Sequence, residues 1–139
     1  METSNLLRHQ IITKRVAQTT EKVDDAAISL WAKMATQIIL IVGEGGFNSL
    51  YARSIFLTQS TFPWLLSSPQ PPPAEHRFEE LKLSLAGQTP ERASEANKLL
   101  LITFTDILAS LIGEQLTIRI LRSAWGNDVQ NQADKGVQK

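Results

Sequence analysis

The sequence contains no cysteine. Structural disulfides, thiolate zinc sites and a cysteine nucleophile are therefore excluded, and a reducing, cytoplasmic setting is expected. An excess of either charge is also lacking, since Lys plus Arg and Asp plus Glu number fourteen each. Such a balance argues against binding to nucleic acid or to an anionic membrane, and it leaves little self-repulsion to oppose self-association. Histidine is scarce: His9 and His76 are the only two. No Glu-x-x-His occurs, which is the usual carboxylate–histidine metal pattern of helical bundles, so neither a metal nor a cofactor is expected. Gly-x-Ser-x-Gly and Gly-Lys-Ser/Thr are missing too, and a Ser–His pair has no well-placed histidine.

Long hydrophobic runs fall short of a membrane span. Ile28 to Val42 is interrupted by Lys33 and Gln37, and Leu99 to Ile112 by Asp106. A span needs roughly 20 apolar residues, so buried core helices are the better reading. The first residues, METSNLLRHQIITKRVAQ, have too short an apolar run for a signal peptide, and no A-x-A site follows.

What is present is helical periodicity. The 139 residues suit one domain, expected over 1–126. Leu6, Leu7, Ile11, Ile12 and Val16 recur at helical spacing with Arg8, His9, Lys14 and Arg15 between them, giving an amphipathic segment over 1–18 that packs on the body or on a second chain. Thr19 and Thr20 ahead of Glu21, Asp24 and Asp25 read as the capped start of a long helix. Trp31, Met34, Ala35, Ile38 and Ile41 form its seam. Gly43-Glu44-Gly45-Gly46 breaks or bends it, and a second helix is expected from Phe47 to about Thr61. Residues 67–74, SSPQPPPA, form a stiff polyproline-like connector with a minimal P-x-x-P at Pro69 and Pro72, read as a spacer. His76 to Ala86 is either a short helix on Phe78, Leu81 and Leu85 or an extended piece in which Leu81, Leu83 and Leu85 alternate. Thr89-Pro90-Glu91 is a strong helix start. The helix it opens either stops at Gly113 or continues to Trp125, and a continuous one at about 1.5 Å per residue would span roughly 54 Å. The tail over 127–139 has almost nothing apolar to bury and is expected to be disordered.

An internal likeness organises these elements. Ile41-Val42-Gly43-Glu44 matches Leu111-Ile112-Gly113-Glu114, and the segments that follow each contain an Arg-Ser pair, Arg53-Ser54 and Arg122-Ser123, once a one-residue gap is allowed. The expected fold is all-α: a bundle of two helix-Gly-Glu-helix hairpins joined by the Pro-rich connector.

The chemistry-bearing residues cluster at the same places. Glu44 and Glu114 each close an apolar helix, and Arg53, Arg119 and Arg122 on the following segments are the expected partners. They form either structural ion pairs or a polar site where the two bends approach. Trp31, Trp64 and Trp125 are expected as anchors of a core or an interface. The first functional expectation is a non-enzymatic interaction module, a homodimer that also serves an unidentified protein partner in regulation or scaffolding. The alternatives are a small-molecule or anion sensor with its pocket near the Gly-Glu bends, and an enzyme using Glu44 or Glu114.

Overall fold

A computed structural model describes residues 2–17, 22–67, 70 and 72–126, with side chains from residue 6. Thr19, Thr20, Glu21, Ser68, Pro69, Pro71 and the 127–139 tail lie outside the described residues, and with them part of the connector and the tail; the expected threonine cap is corrected, since the N-cap of α2 is Lys22, whose side chain makes no capping hydrogen bond. The fold is all-helical, with no strand among the described residues. The elements are α1 (Glu2–Ala17), α2 (Val23–Thr58), α3 (Glu79–Ala86), α4 (Pro90–Ile112) and α5 (Glu114–Trp125), with a 3₁₀ turn at Ala74–His76 before α3.

Two glycines set the corners. Gly43 sits at φ 82°, ψ 166° inside α2, and Gly113 at φ 99°, ψ 150° between α4 and α5. This region of backbone space is essentially open to glycine alone. Of the three glycines after Val42 only the first breaks the helix, which resumes at Glu44 rather than Phe47 and ends at Thr58. Gly46 is helical, and its missing Cβ matters because one would lie 3.0 Å from Cβ of Val42 across the bend. The 54 Å helix is ruled out by the corner at Gly113. The extended alternative for 76–86 is ruled out as well: Leu81 and Leu85 are buried on one helical face while Leu83 points to solvent. The start expected at Thr89 is present, with Thr89 Oγ1 accepting the Arg92 N–H at 3.3 Å.

The first part of α2 and the whole of α4 run parallel. Lys22, Val23 and Asp24 share a groove with Pro90 and Ala93. Further along, Trp31 Nε1 donates to Asn97 Oδ1 at 2.9 Å and meets Phe104 edge-on at 5.2 Å. Both glycine corners therefore lie at the same end of the molecule. Beyond each corner the chain turns back onto the other helix: Phe47 packs on Phe104 at 5.4 Å, and Trp125 Nε1 donates to the Leu30 carbonyl at 3.0 Å. α3 closes one flank, with Phe78 between Trp31 and Phe47.

A shift of 70 residues carries Gly43 onto Gly113, and it also carries burial onto burial. Ala27, Leu30, Trp31, Met34, Ala35 and Ile38 fall on Asn97, Leu100, Leu101, Phe104, Thr105 and Leu108, all buried. Past the corners Phe47, Leu50 and Ile55 fall on Thr117, Ile120 and Trp125, all buried, whereas the buried Ser54, Ile118 and Leu121 pair with the partly buried Ala124, Asn48 and Tyr51. This register needs no gap, so Arg53 is matched with Ser123 rather than with Arg122.

By length and composition α2 is the one helix among the described residues apolar enough to cross a membrane. It is bent at Gly43, and its seam is packed against α4 and α5.

Candidate functional site

Each corner glutamate meets an arginine, and neither arginine is one of the expected three. Glu114, the first residue of α5, is gripped by Arg8 of α1. Arg8 Nε donates to Glu114 Oε2 and Nη2 to Oε1 at 3.2 Å. The same guanidinium donates through Nη1 to Asp106 Oδ1 at 2.6 Å and to Thr105 Oγ1 at 2.9 Å. His9 Nε2 lies 2.9 Å from that Asp106 oxygen. The Arg8 side chain is 2% exposed. Burial works against its charge, but hydrogen bonds to Glu114 and Asp106 and their negative charges outweigh it, so the guanidinium is held above its ordinary value.

The local sequence explains the grip. Arg8, Ile12 and Val16, four residues apart, make the buried seam of α1, while Leu6 and Leu7 are exposed. α1 thus does pack on the body, against α4 and α5, but through an arginine rather than through all of its apolar residues. Asp106 is the only charged residue between Leu99 and Ile112, and an acid within an apolar helix calls for a partner.

The first corner is looser. Glu44 Oε2 accepts from Arg77 Nη2 at 3.0 Å, with the Glu44 side chain 60% exposed against 19% for Glu114. The Arg77 guanidinium also lies over the Phe47 ring, 5.5 Å from its centroid. Beside this pair is an open cleft of about 330 Å³ bounded by Asn48, Ser49, Tyr51, Gln70, Arg77 and Glu80, with Ile55 and Leu66 among its apolar walls. Burial, and then the charge of Glu80, push the Tyr51 phenol well above its usual range.

The expected partners do not take part. Arg53, Arg119 and Arg122 are exposed and bond to neither glutamate. They lie on outward faces of their helices, whereas Arg8 and Arg77 come from elements that the topology brings across the corners. Of the two roles expected for the tryptophans, Trp31 and Trp125 take the core one: both are buried within one chain. Trp64 is half-buried against Phe62. Among the described residues no group of three or more His, Asp or Glu is placed to hold a metal ion.

One feature of the corner end was not visible in the periodicity. Ile41 continues the buried seam of α2 one turn past Ile38, and Leu111 continues that of α4 one turn past Leu108. Exposure rises from 0% at Ile38 and Leu108 to 46% at Ile41 and 65% at Leu111. Leu40, Leu6 and Leu7 are exposed as well, while Val42 and Ile112, the last residues before the two corners, pack against the core.

The chain matches no protein-family model, and comparison with the curated proteins and with the solved structures returns no match.

Proposed function

We propose that this chain is a non-enzymatic helical interaction module that self-associates through its corner end and serves as a regulatory or scaffolding partner in the cytoplasm. The observation that carries the reading is apolar exposure beside the corners: Ile41 and Leu111, at the ends of the seams of two parallel helices, lie in solvent. Burying a fully exposed Leu or Ile gains about 1.5–3 kcal/mol; Ile41 and Leu111 are already partly covered and gain a fraction of that, and clustered apolar exposure marks contact surfaces. The gap-free 70-residue register supports a second inference, that the module consists of two helix-Gly-Glu-helix units related by internal repetition. Their second helices are exchanged across each other's first helices, and residues 59–89 connect them. Light scattering tests the module. The parent chain is expected to be dimeric at micromolar concentration, and Ile41→Gln with Leu111→Gln is expected to return it to monomer. A parent that is monomeric throughout that range overturns the proposal.

The cleft beside Glu44 favours a second reading, a sensor of a small polar molecule. It offers two amides, three hydroxyls and one charge of each sign over an apolar floor, the mix by which small-ligand pockets fix orientation. Its test is a thermal-shift series with free amino acids, carboxylates and phosphate, in which an Asn48→Leu chain loses any shift the parent shows. The enzyme reading has no comparable observation behind it, because both glutamates are engaged in ion pairs that join elements of the fold.

A further inference from the structure

We infer that the cleft beside Glu44 takes a free α-amino acid with an apolar side chain, its carboxylate on Arg77 and Asn48, its ammonium on Glu80 and its side chain against Leu66 and Ile55. The assignment rests on the second reading above, a sensor of a small polar molecule, and names that molecule's class. The lining groups follow this order along residues 44–58. Arg77 stands at the corner end, paired with Glu44 and lying over the Phe47 ring. Glu80 comes next, opposite the middle of the segment, since Tyr51 lies within reach of its charge. One turn further along α3 is Ser84, whose Oγ accepts the Leu66 N–H at 2.9 Å. Leu66 and Ile55 therefore wall the far end, where Gln59 Nε2 donates to the neighbouring Leu65 carbonyl at 2.8 Å.

The polar groups here have more bonding capacity than the fold uses. The Arg77 side chain is 11% exposed, yet of the guanidinium's several N–H donors only Nη2 has an acceptor among the described residues. The Tyr51 ring is packed against Trp31, Phe47 and Phe78. Neither its hydroxyl nor the half-buried Asn48 amide bonds to a described residue. Covered polar groups call for partners, and the cleft is the side from which a ligand reaches these. A carboxylate has several acceptor sites, so Glu80 receives an ammonium in addition to what it already bonds. Charge then selects among small molecules. A lone anion at Arg77 would also face Glu44 and Glu80, and a lone cation at Glu80 would face Arg77. A zwitterion is neutral as a whole and meets the opposite charge at each end. At about 330 Å³ the cleft is at the small end of ligand pockets, which suits an amino acid.

The test is calorimetric titration of the full, unaltered chain. L-Leucine is compared with isocaproate, which lacks the ammonium, with isoamylamine, which lacks the carboxylate, and with glycine, which lacks the side chain. Leucine is expected to bind about tenfold or more tightly than each, the scale of one hydrogen bond to a charged group or one covered aliphatic side chain. Any of the three binding at least as tightly as leucine overturns the inference and leaves the small-molecule reading standing. Phosphate binding where leucine does not has the same meaning. No binding by any of them overturns both. A variant then tests the place of the ammonium. Glu80→Gln keeps the shape and removes the charge, and it is expected to weaken leucine about tenfold while leaving isocaproate no weaker. An unchanged leucine affinity in that variant overturns the assignment.

Discussion

Arg8 and Glu114 stand 106 positions apart and meet as a forked ion pair that ties the first helix to the corner leading into the last. Glu44, at the equivalent position of the other corner, is met by Arg77 through a single 3.0 Å contact in the open. The two corners thus share a backbone geometry and differ in how far their charges are buried.

That difference predicts unequal responses to the same substitution. Glu114→Gln leaves a guanidinium that is almost wholly enclosed, and breaking a buried pair typically costs about 3–5 kcal/mol. The loss is expected near 3 kcal/mol, the low end of that range, because Asp106 still faces Arg8. Glu44→Gln removes a pair whose carboxylate is exposed although Arg77 is largely covered, and should cost less, about 1 kcal/mol. Urea melts of the two variants check this, and equal losses would contradict the burial described for the corners.

Asn97 and Trp31 make a second buried polar contact, between α4 and α2. Asn97→Leu removes the acceptor and leaves the indole N–H enclosed without a partner, a cost of about 1–3 kcal/mol. Asn97→Gln moves the acceptor but keeps it, and should lose less. A leucine variant as stable as the parent would mean that the indole finds another acceptor.

Much of the architecture was legible in the residues, for identifiable reasons. A glycine that follows an apolar run and precedes an acid marked the bend at Gly43, while at Gly113, with no further glycine beside it, the helical period left a stop and a continuous helix both open. Thr89-Pro90 marked the start of α4, and the seam from Ala93 to Leu108 follows from helical period alone. The partners of the corner glutamates were not legible. Arg8 sits among leucines and isoleucines, where a basic residue reads as the solvent face, and no local pattern reports a contact more than a hundred residues away. Asp106 was the available signal, a lone acid in an apolar helix. Trp31 and Trp125 illustrate another limit: a large aromatic on a helical seam has the same pattern whether its own chain or a partner covers it.

Tyr51 is the only tyrosine, so its ionisation can be followed without ambiguity. Burial, then Glu80, hold the phenol neutral in the fold. In the unfolded chain it ionises near pH 10. The native state therefore keeps a proton that the unfolded state gives up, so stability is intact below about pH 10 and declines as pH rises above it. Phenolate absorbance should appear together with loss of helical circular dichroism, rather than as a free titration near pH 10 on a folded chain. Tyr51→Phe should weaken this alkaline loss.

The glycines of the first bend give opposite predictions two residues apart. Gly43 has φ 82° and ψ 166°, and a Cβ there would meet nothing within 4 Å. Its requirement is purely conformational: an alanine would be forced into a region L-residues rarely occupy, at a cost of about 1–3 kcal/mol. The same holds for Gly113. Gly45 is helical and also has open space around its missing Cβ. Alanine there restricts the unfolded chain without straining the folded one and should stabilise by about 0.4–1 kcal/mol. Thermal melts of Gly43→Ala, Gly113→Ala and Gly45→Ala are therefore expected to fall below, below and above the parent. A Gly43→Ala chain at or above the parent would mean that the bend relaxes into a continuous helix. The second half of α2 would then swing away from α4, and the Phe47–Phe104 contact should be lost with it, which a changed near-ultraviolet spectrum would report.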